Sequence, residues 1–291
     1  MARFMVCSWA FSALLSSCQF PTAEPAQNST SEQASSQASS QISNPPATIV
    51  LSKLYTNHSY RNWLGRITSD SLVFVEAYGL DSTALASVLD EADGIVLTGG
   101  VDIHPGRYEQ PSDTLACGTI DSRRDAVEAQ LTDFVWTSAT PCLGVCRGLQ
   151  YLNVHTGGSL HPHLPDAGFF GHRGGSPAAH PSSTSDTAHD VLVTRSIAPA
   201  GISFAAGASA TVISHHHQGI NRLADGWDAW AVAPDGLVEG IRWADTTALP
   251  FVVGVQWHPE RSSPGPLSDP LGKAFLMAVK TAMKNGPALV D

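Results

Sequence analysis

Cys146 is the side chain with the clearest chemical promise. It stands in Pro141-Cys142-Leu143-Gly144-Val145-Cys146-Arg147-Gly148-Leu149-Gln150, where an apolar run meets Gly-x-Cys-x-Gly and a helix-like segment follows. This is the layout of a nucleophile elbow, a sharp strand-to-helix turn that exposes one reactive side chain. The flanking glycines fit such a turn, because a strained apex tolerates little bulk around it. At a helix N-terminus the dipole and the free N–H groups favour thiolate, and thiolate is the nucleophile. The alternative is a small buried Cys closing a core strand, and this window alone does not choose between the two.

A cysteine nucleophile needs a base, and the base needs an orienting group. Phe251-Val252-Val253-Gly254-Val255 reads as a buried, β-branched strand, and Gln256-Trp257-His258-Pro259-Glu260 follows it. Residues two apart on an extended chain face the same way, so Glu260 is expected beside the imidazole of His258, with Pro259 stiffening the spacing. A surface loop with an ordinary His and Glu is the bland alternative. Gly94-Ile95-Val96-Leu97-Thr98-Gly99-Gly100 is a short apolar strand ending in two glycines. Backbone N–H groups near Gly100 can approach a developing oxyanion, and the N–H of Arg147 would be the second donor. No Gly-Lys-Ser/Thr follows, so this turn is not a phosphate loop.

The elements that must hold these segments alternate. Strands are expected over 48–51, 72–76, 94–97 and 143–145, with helices over 62–67, 82–90 (capped by Asp81 or Ser82) and 121–137. Alternating β and α elements imply a parallel sheet covered by helices, with the active site at the carboxyl ends of the strands. All three segments sit at such ends. After Leu164 the pattern changes: Gly171 to Ser185 reads as a loop, and 191–194, 210–213 and 230–233 read as shorter strands of an antiparallel part.

Taken in order, these segments resemble the class I glutamine amidotransferase superfamily. They are most similar to its γ-glutamyl-γ-aminobutyrate hydrolase-like branch, the peptidase C26-type cysteine hydrolases. The resemblance is carried by Leu97-Thr98-Gly99-Gly100-Val101-Asp102 with Pro105 and Tyr108, and by Asp121, Arg124 and Asp125. Cys146-Arg147-Gly148-Leu149-Gln150 with Asn153, Gly157, Gly158 and Leu160 continues it. Ser214-His215-His216-His217-Gln218 and Gly254-Val255-Gln256-Trp257-His258-Pro259-Glu260 complete it. It covers most of the chain from about residue 48 onward. Ile213 departs from the pattern, where such proteins often carry Asn, and so does His215, at a position commonly apolar or aromatic. Both bear on the amine side of the substrate more than on the chemistry.

The resemblance implies an α/β fold with a mostly parallel, flavodoxin-like sheet flanked by helices and a small antiparallel addition. It implies Cys146, His258 and Glu260 as nucleophile, base and orienter, and Gly100 and Arg147 around the oxyanion. The glutamyl part of a small γ-glutamyl amide would be held by His216, His217 and Gln218. No cofactor or metal is expected. Two alternatives stand beside this reading: a metal-binding or ligand-binding lipoprotein on the same fold, and a glutaminase subunit supplying ammonia. A homodimer is left open.

The formal net charge of −10 over 291 residues, with no basic run, argues against a nucleic-acid partner. The amino terminus is of a different kind. Met1-Ala2-Arg3 precedes a short apolar stretch that ends in Leu15-Ser16-Ser17-Cys18, and a Gln/Ser/Thr/Ala tract then runs to Asn44-Pro45-Pro46. A short apolar segment before small residues suits a secretory signal and is too short for a membrane span. The tetrapeptide resembles a lipoprotein signal, with Cys18 as the lipidated residue. The expected organisation is therefore a signal over 1–18, a disordered tether over 19–47 and a hydrolase over 48–291. The expected location is a membrane-anchored, periplasmic or cell-surface one; a cytoplasmic one is the alternative.

Of the five cysteines, Cys117, Cys142 and Cys146 would remain in the mature domain, an odd number, and Cys142 reads as core. Twelve histidines raise the case for a metal, with His161 and His163 flanking a Pro and His215, His216 and His217 in a run. Adjacent histidines cannot all face one ion, and neither His-Glu-x-x-His nor Cys-x-x-Cys is present.

Overall fold

Short β-branched runs alternate with helices from Ala47 onward, and the strands they form join into a single large sheet. The computed structural model describes residues 45–175 and 185–285. The amino-terminal half runs β1 (Ala47–Leu51), α1 (Ser59–Arg66), β2 (Leu72–Glu76), α2 (Ser82–Asp90), β3 (Gly94–Leu97), α3 (Ser122–Ser138), β4 (Cys142–Val145), α4 (Arg147–His155) and β5 (Ser159–His161). The remainder runs β6 (Thr187–Val193), β7 (Ser209–Ser214), β8 (Gly219–Arg222), β9 (Trp227–Val232), β10 (Val238–Trp243), β11 (Val252–Val255) and α5 (Ser268–Asn285).

The nine-stranded sheet has the order β2-β1-β3-β4-β11-β10-β9-β6-β7, and β5 and β8 form a separate antiparallel pair. From β2 to β11 every neighbour is parallel. From β11 to β7 every neighbour is antiparallel. The expected helix-covered parallel sheet is therefore present, and the antiparallel addition is hydrogen-bonded onto its edge.

β3, β4 and β11 are fully buried, which is why they read as unbroken apolar runs rather than alternating ones. Successive side chains pack on opposite faces. Val96 joins Trp63 of α1 and Leu271 and Phe275 of α5 in one core. Ile95 and Leu97 join Leu85 of α2, Leu131 of α3 and Leu149 of α4 in the other. Burying one such aliphatic side chain is worth about 1.5–3 kcal/mol, so the two layers together fix the sheet and hence the loops at its edge.

Local signals explain most boundaries. Asp81, one of the two candidates, caps α2 by accepting from the Ala84 N–H at 2.9 Å. Asp121 caps α3 in the same way, through the Arg124 N–H at 3.1 Å. α1 begins at Ser59, earlier than the expected 62, and β6, β7 and β9 also begin earlier than expected. β5, β8, β10 and α5 were not anticipated from the sequence. Among the described residues no helix is long and apolar enough to cross a membrane. The expected signal, Cys18 and most of the tether lie outside the described residues, as does 176–184 of the expected loop.

Candidate active site

Three neighbouring parallel strands, β3, β4 and β11, end side by side, and the three chemistry-bearing segments leave from their carboxyl ends. Gly99-Gly100 follows β3, Cys146 follows β4, and His258 lies three residues beyond β11. Fold topology thus brings together residues that are far apart in sequence.

Cys146 links β4 directly to α4 with φ 52° and ψ −104°, a conformation that side-chain-bearing residues rarely adopt. The Cys146 N–H donates to the Val255 carbonyl at 2.7 Å, tying the apex to β11. A close approach of helix to strand requires glycine next to it: a Cβ on Gly148 would lie 2.1 Å from the Leu97 carbonyl oxygen. Gly99 is confined in the same manner, since a Cβ there would lie 2.9 Å from His258 Cε1 and 3.7 Å from Cys146 Cβ. The Arg147 N–H opens α4 and so has no intrahelical acceptor. Gly100 lines the space beside Cys146.

His258 is buried and lines the same cavity as Cys146 on one side. On the other, its Nδ1 donates to Glu260 Oε1 at 2.8 Å. Burial works against the imidazolium, but the Glu260 carboxylate and then the neighbouring Cys146 outweigh it and push His258 up to about 10. The expected His258–Glu260 contact is present, but it is made by a turn and not by an extended chain. The His258 carbonyl accepts from Arg261 N at 3.1 Å and from Ser262 N at 2.9 Å.

Behind the Gly-Gly turn lies a buried charged network. The Arg147 guanidinium pairs with Asp125 and Glu128, and its Nε donates to the Val101 carbonyl at 2.8 Å. Arg124 Nε donates to Glu128 Oε1 at 3.0 Å, and its Nη2 donates to the Thr98 carbonyl at 2.7 Å. Tyr55 donates to the Gly99 carbonyl at 2.9 Å, and the Tyr60 hydroxyl accepts from the Gly99 N–H at 2.8 Å. These groups hold the turn in position. Glu128, Tyr55 and Tyr60 were not singled out in the sequence; Glu128 could have been found as the i+4 partner of Arg124 on α3.

Two cavities flank Cys146. The larger, about 250 Å³, reaches Asp102, Gln150, Arg173, His217 and Gln218. The smaller, about 200 Å³, is bounded by Asn57, Tyr60, His258, Glu260 and Arg261. Of the residues expected to hold substrate, His217 donates through Nε2 to Asp102 at 2.8 Å, and Gln218 donates to the Pro162 carbonyl at 3.2 Å. His216 borders the larger cavity, but its ring nitrogens are engaged elsewhere: Nδ1 donates to the Gln218 carbonyl at 2.8 Å and Nε2 faces Glu239 at 3.6 Å. The His215 carbonyl lies 4.0 Å from Cys146 Sγ, while its side chain bonds Asp186 at 2.8 Å. Cys142 is fully buried in β4, and burial pushes its thiol well up, as suits a core residue.

An elbow cysteine, a carboxylate-oriented histidine and a helix-flanked parallel sheet place the chain in the class I glutamine amidotransferase-like superfamily. The chain belongs to the Peptidase C26 family, which matches residues 39–260. A glutamine amidotransferase, so named provisionally, of Schizosaccharomyces pombe is 37% identical over 176 residues, which are 60% of this chain and 64% of that protein. The chain thus spans less than two thirds of that relative's length. The γ-glutamyl-γ-aminobutyrate hydrolase of Escherichia coli O157:H7 is 31% identical over 205 residues, covering 68% of this chain and 76% of that one. In fold, the chain is similar to the glutaminase domain of Trypanosoma brucei CTPS solved with bound acivicin. The TM-score is 0.55 at 16% identity, covering 81% of this chain and 94% of that domain.

Proposed function

We propose that this protein is a hydrolase that cleaves the γ-glutamyl amide bond of small γ-glutamyl amines, giving glutamate and the free amine. The observation that carries the reading is His258 standing between Cys146 and Glu260 at the ends of adjacent strands. Cys146 Sγ attacks the δ-carbonyl carbon, and the oxyanion is met by the backbone N–H groups at Gly100 and Arg147. The C–N bond breaks as His258 gives its proton to the departing amine, leaving a glutamyl thioester. Water then attacks the thioester while His258 takes its proton, and glutamate leaves as the thiol is restored. Glu260 orients the imidazole and stabilises its charged form. Every proton moved in this scheme belongs to water or a protein side chain.

The glutamyl group fits the larger cavity by charge, with Arg173 suited to its α-carboxylate and Asp102 to its α-ammonium group. The leaving amine would occupy the smaller cavity beside His258. Arg261 lines that cavity and favours an amine that itself bears a carboxylate, consistent with the substrate named for the Escherichia coli relative. The test is a panel of γ-glutamyl amides of γ-aminobutyrate, alkylamines and diamines, with glutamine and α-glutamyl isomers as controls and glutamate release as the readout. Turnover of γ-glutamyl amines in preference to glutamine is expected. Turnover of glutamine alone would replace this reading with a glutaminase, and turnover of none would refute both.

A further inference from the structure

A second cluster of reactive side chains lies in the antiparallel half, beyond the cavity wall. His172 comes from the loop after β5, His189 from β6, His216 from the turn after β7, and Glu239 from β10. Their inward atoms all lie within 4.8 Å of one another. Side-chain exposure is 4% for His172, 12% for His189, 2% for His216 and 0% for Glu239. His189 shares the inward face of β6 with buried Val191 and Val193. Glu239 sits at a bulge, where the β10–β9 register shifts between Val238 and Gly240; such bulges re-aim side chains.

The outer nitrogen of each imidazole has an acceptor. His172 Nε2 donates to Asp235 Oδ2 at 2.8 Å, His189 Nδ1 to the Asp190 carbonyl at 3.0 Å, and His216 Nδ1 to the Gln218 carbonyl at 2.8 Å. These partners fix the tautomers and leave a lone pair on each inner nitrogen. The inner nitrogens face Glu239 Oε1 at 3.5, 3.7 and 3.6 Å, and none of the four atoms has a hydrogen-bond partner. With all three imidazoles neutral, four acceptors are turned toward one another with no donor among them. Such an arrangement is unfavourable unless a cation sits between them. A single proton on one imidazole would supply one donor and leave two lone pairs against the carboxylate.

We infer that His172, His189, His216 and Glu239 bind a divalent first-row transition metal, zinc foremost. Zinc takes imidazole and carboxylate ligands at about 2.0–2.1 Å in a tetrahedron, whose edges are then about 3.3–3.4 Å, close to the distances from Glu239 Oε1. Asp235 behind His172 is the carboxylate that orients a ligating imidazole from outside. Three histidines and a carboxylate in a closed, buried site define a structural metal and not a catalytic one. Its effect on the cavity is direct. It holds His216, whose chain neighbours are His215, with its carbonyl near Cys146, and His217, bonded to Asp102. It also holds Glu239, whose carbonyl accepts from Gln256 N at 2.8 Å, two residues before His258. The site depends on none of the assignments made for the reaction.

The test uses the full chain, stripped with a strong chelator and titrated with zinc, with metal content measured by mass spectrometry. One zinc per chain is expected in the wild type and equally in Cys146→Ala, which removes the thiol beside His258. Zinc should raise the thermal midpoint of the stripped protein, and cobalt should give the intense visible bands of a tetrahedral site. Glu239→Gln and His189→Ala should weaken zinc at least tenfold to a hundredfold, whereas His161→Ala should not. The stripped wild type is itself a control for folding, should either variant misfold. The proposal fails if folded wild type takes up no zinc, if both cluster variants keep it, or if Cys146→Ala alone loses it.

Discussion

The two halves of the sheet solve different problems. The parallel half ends three strands at one edge and so brings Gly99-Gly100, Cys146 and His258 together from positions spread along the chain. The antiparallel half forms a wall, and its His172, His189, His216 and Glu239 turn ligand atoms toward one another instead of toward Cys146. Chemistry is gathered at strand ends, where loops are free to vary, while shape is held within the strands. The two kinds of residue should respond differently to substitution.

The sharpest division is expected within β4 and its elbow. Cys146→Ala should lower turnover by several orders of magnitude with the fold intact. Cys142→Ala, four residues earlier in the core, should cost stability and leave turnover near wild type. Kinetics and thermal melts on both variants decide it, and wild-type turnover in Cys146→Ala would end the assignment.

The next largest effect separates His258 from Glu260. His258→Ala should slow turnover more than Glu260→Gln, because the carboxylate only positions and stabilises the imidazolium. The pH profile sharpens this. Glu260 raises His258, so the proton needed by the leaving amine is present below about pH 10 and lost as the pH rises through that value. Glu260→Gln should move the alkaline limb to lower pH. An unmoved limb would mean that another group supplies the proton.

The smallest effect on turnover is expected across the sheet. Glu239→Gln should lower the thermal midpoint and reduce turnover less than Glu260→Gln does. A loss as deep as that of Cys146→Ala would place Glu239 in the chemistry and erase the contrast between the halves.

The same contrast governs what could be read from the sequence. Cys-Arg-Gly and His-Pro-Glu were legible because an elbow is local: a few consecutive residues carry the strand, the turn and the helix start. The contact of His258 with Glu260 was foreseen, though the turn that makes it was not. α5 was missed, although Leu271, Phe275, Ala278 and Val279 carry the helical spacing of one apolar face. The His-Glu cluster was illegible for a physical reason. It takes one residue from each of four separate segments: neighbours in the run His215-His216-His217 cannot share an ion, but His216 alone can join partners from elsewhere in the chain. The alternation of Thr187, His189, Val191 and Val193 along β6 was the available hint.

The left-handed apex at Cys146 also bears on how this protein could be improved. A side chain held at φ 52° costs roughly 1–3 kcal/mol of folding free energy, a sizeable share of a domain's net stability. Glycine there would relax the backbone and delete the thiol. Natural drift and laboratory selection for heat resistance would therefore both favour losing the one atom that selection for turnover must keep. The residue at this position records which pressure has prevailed, and in this chain it is cysteine.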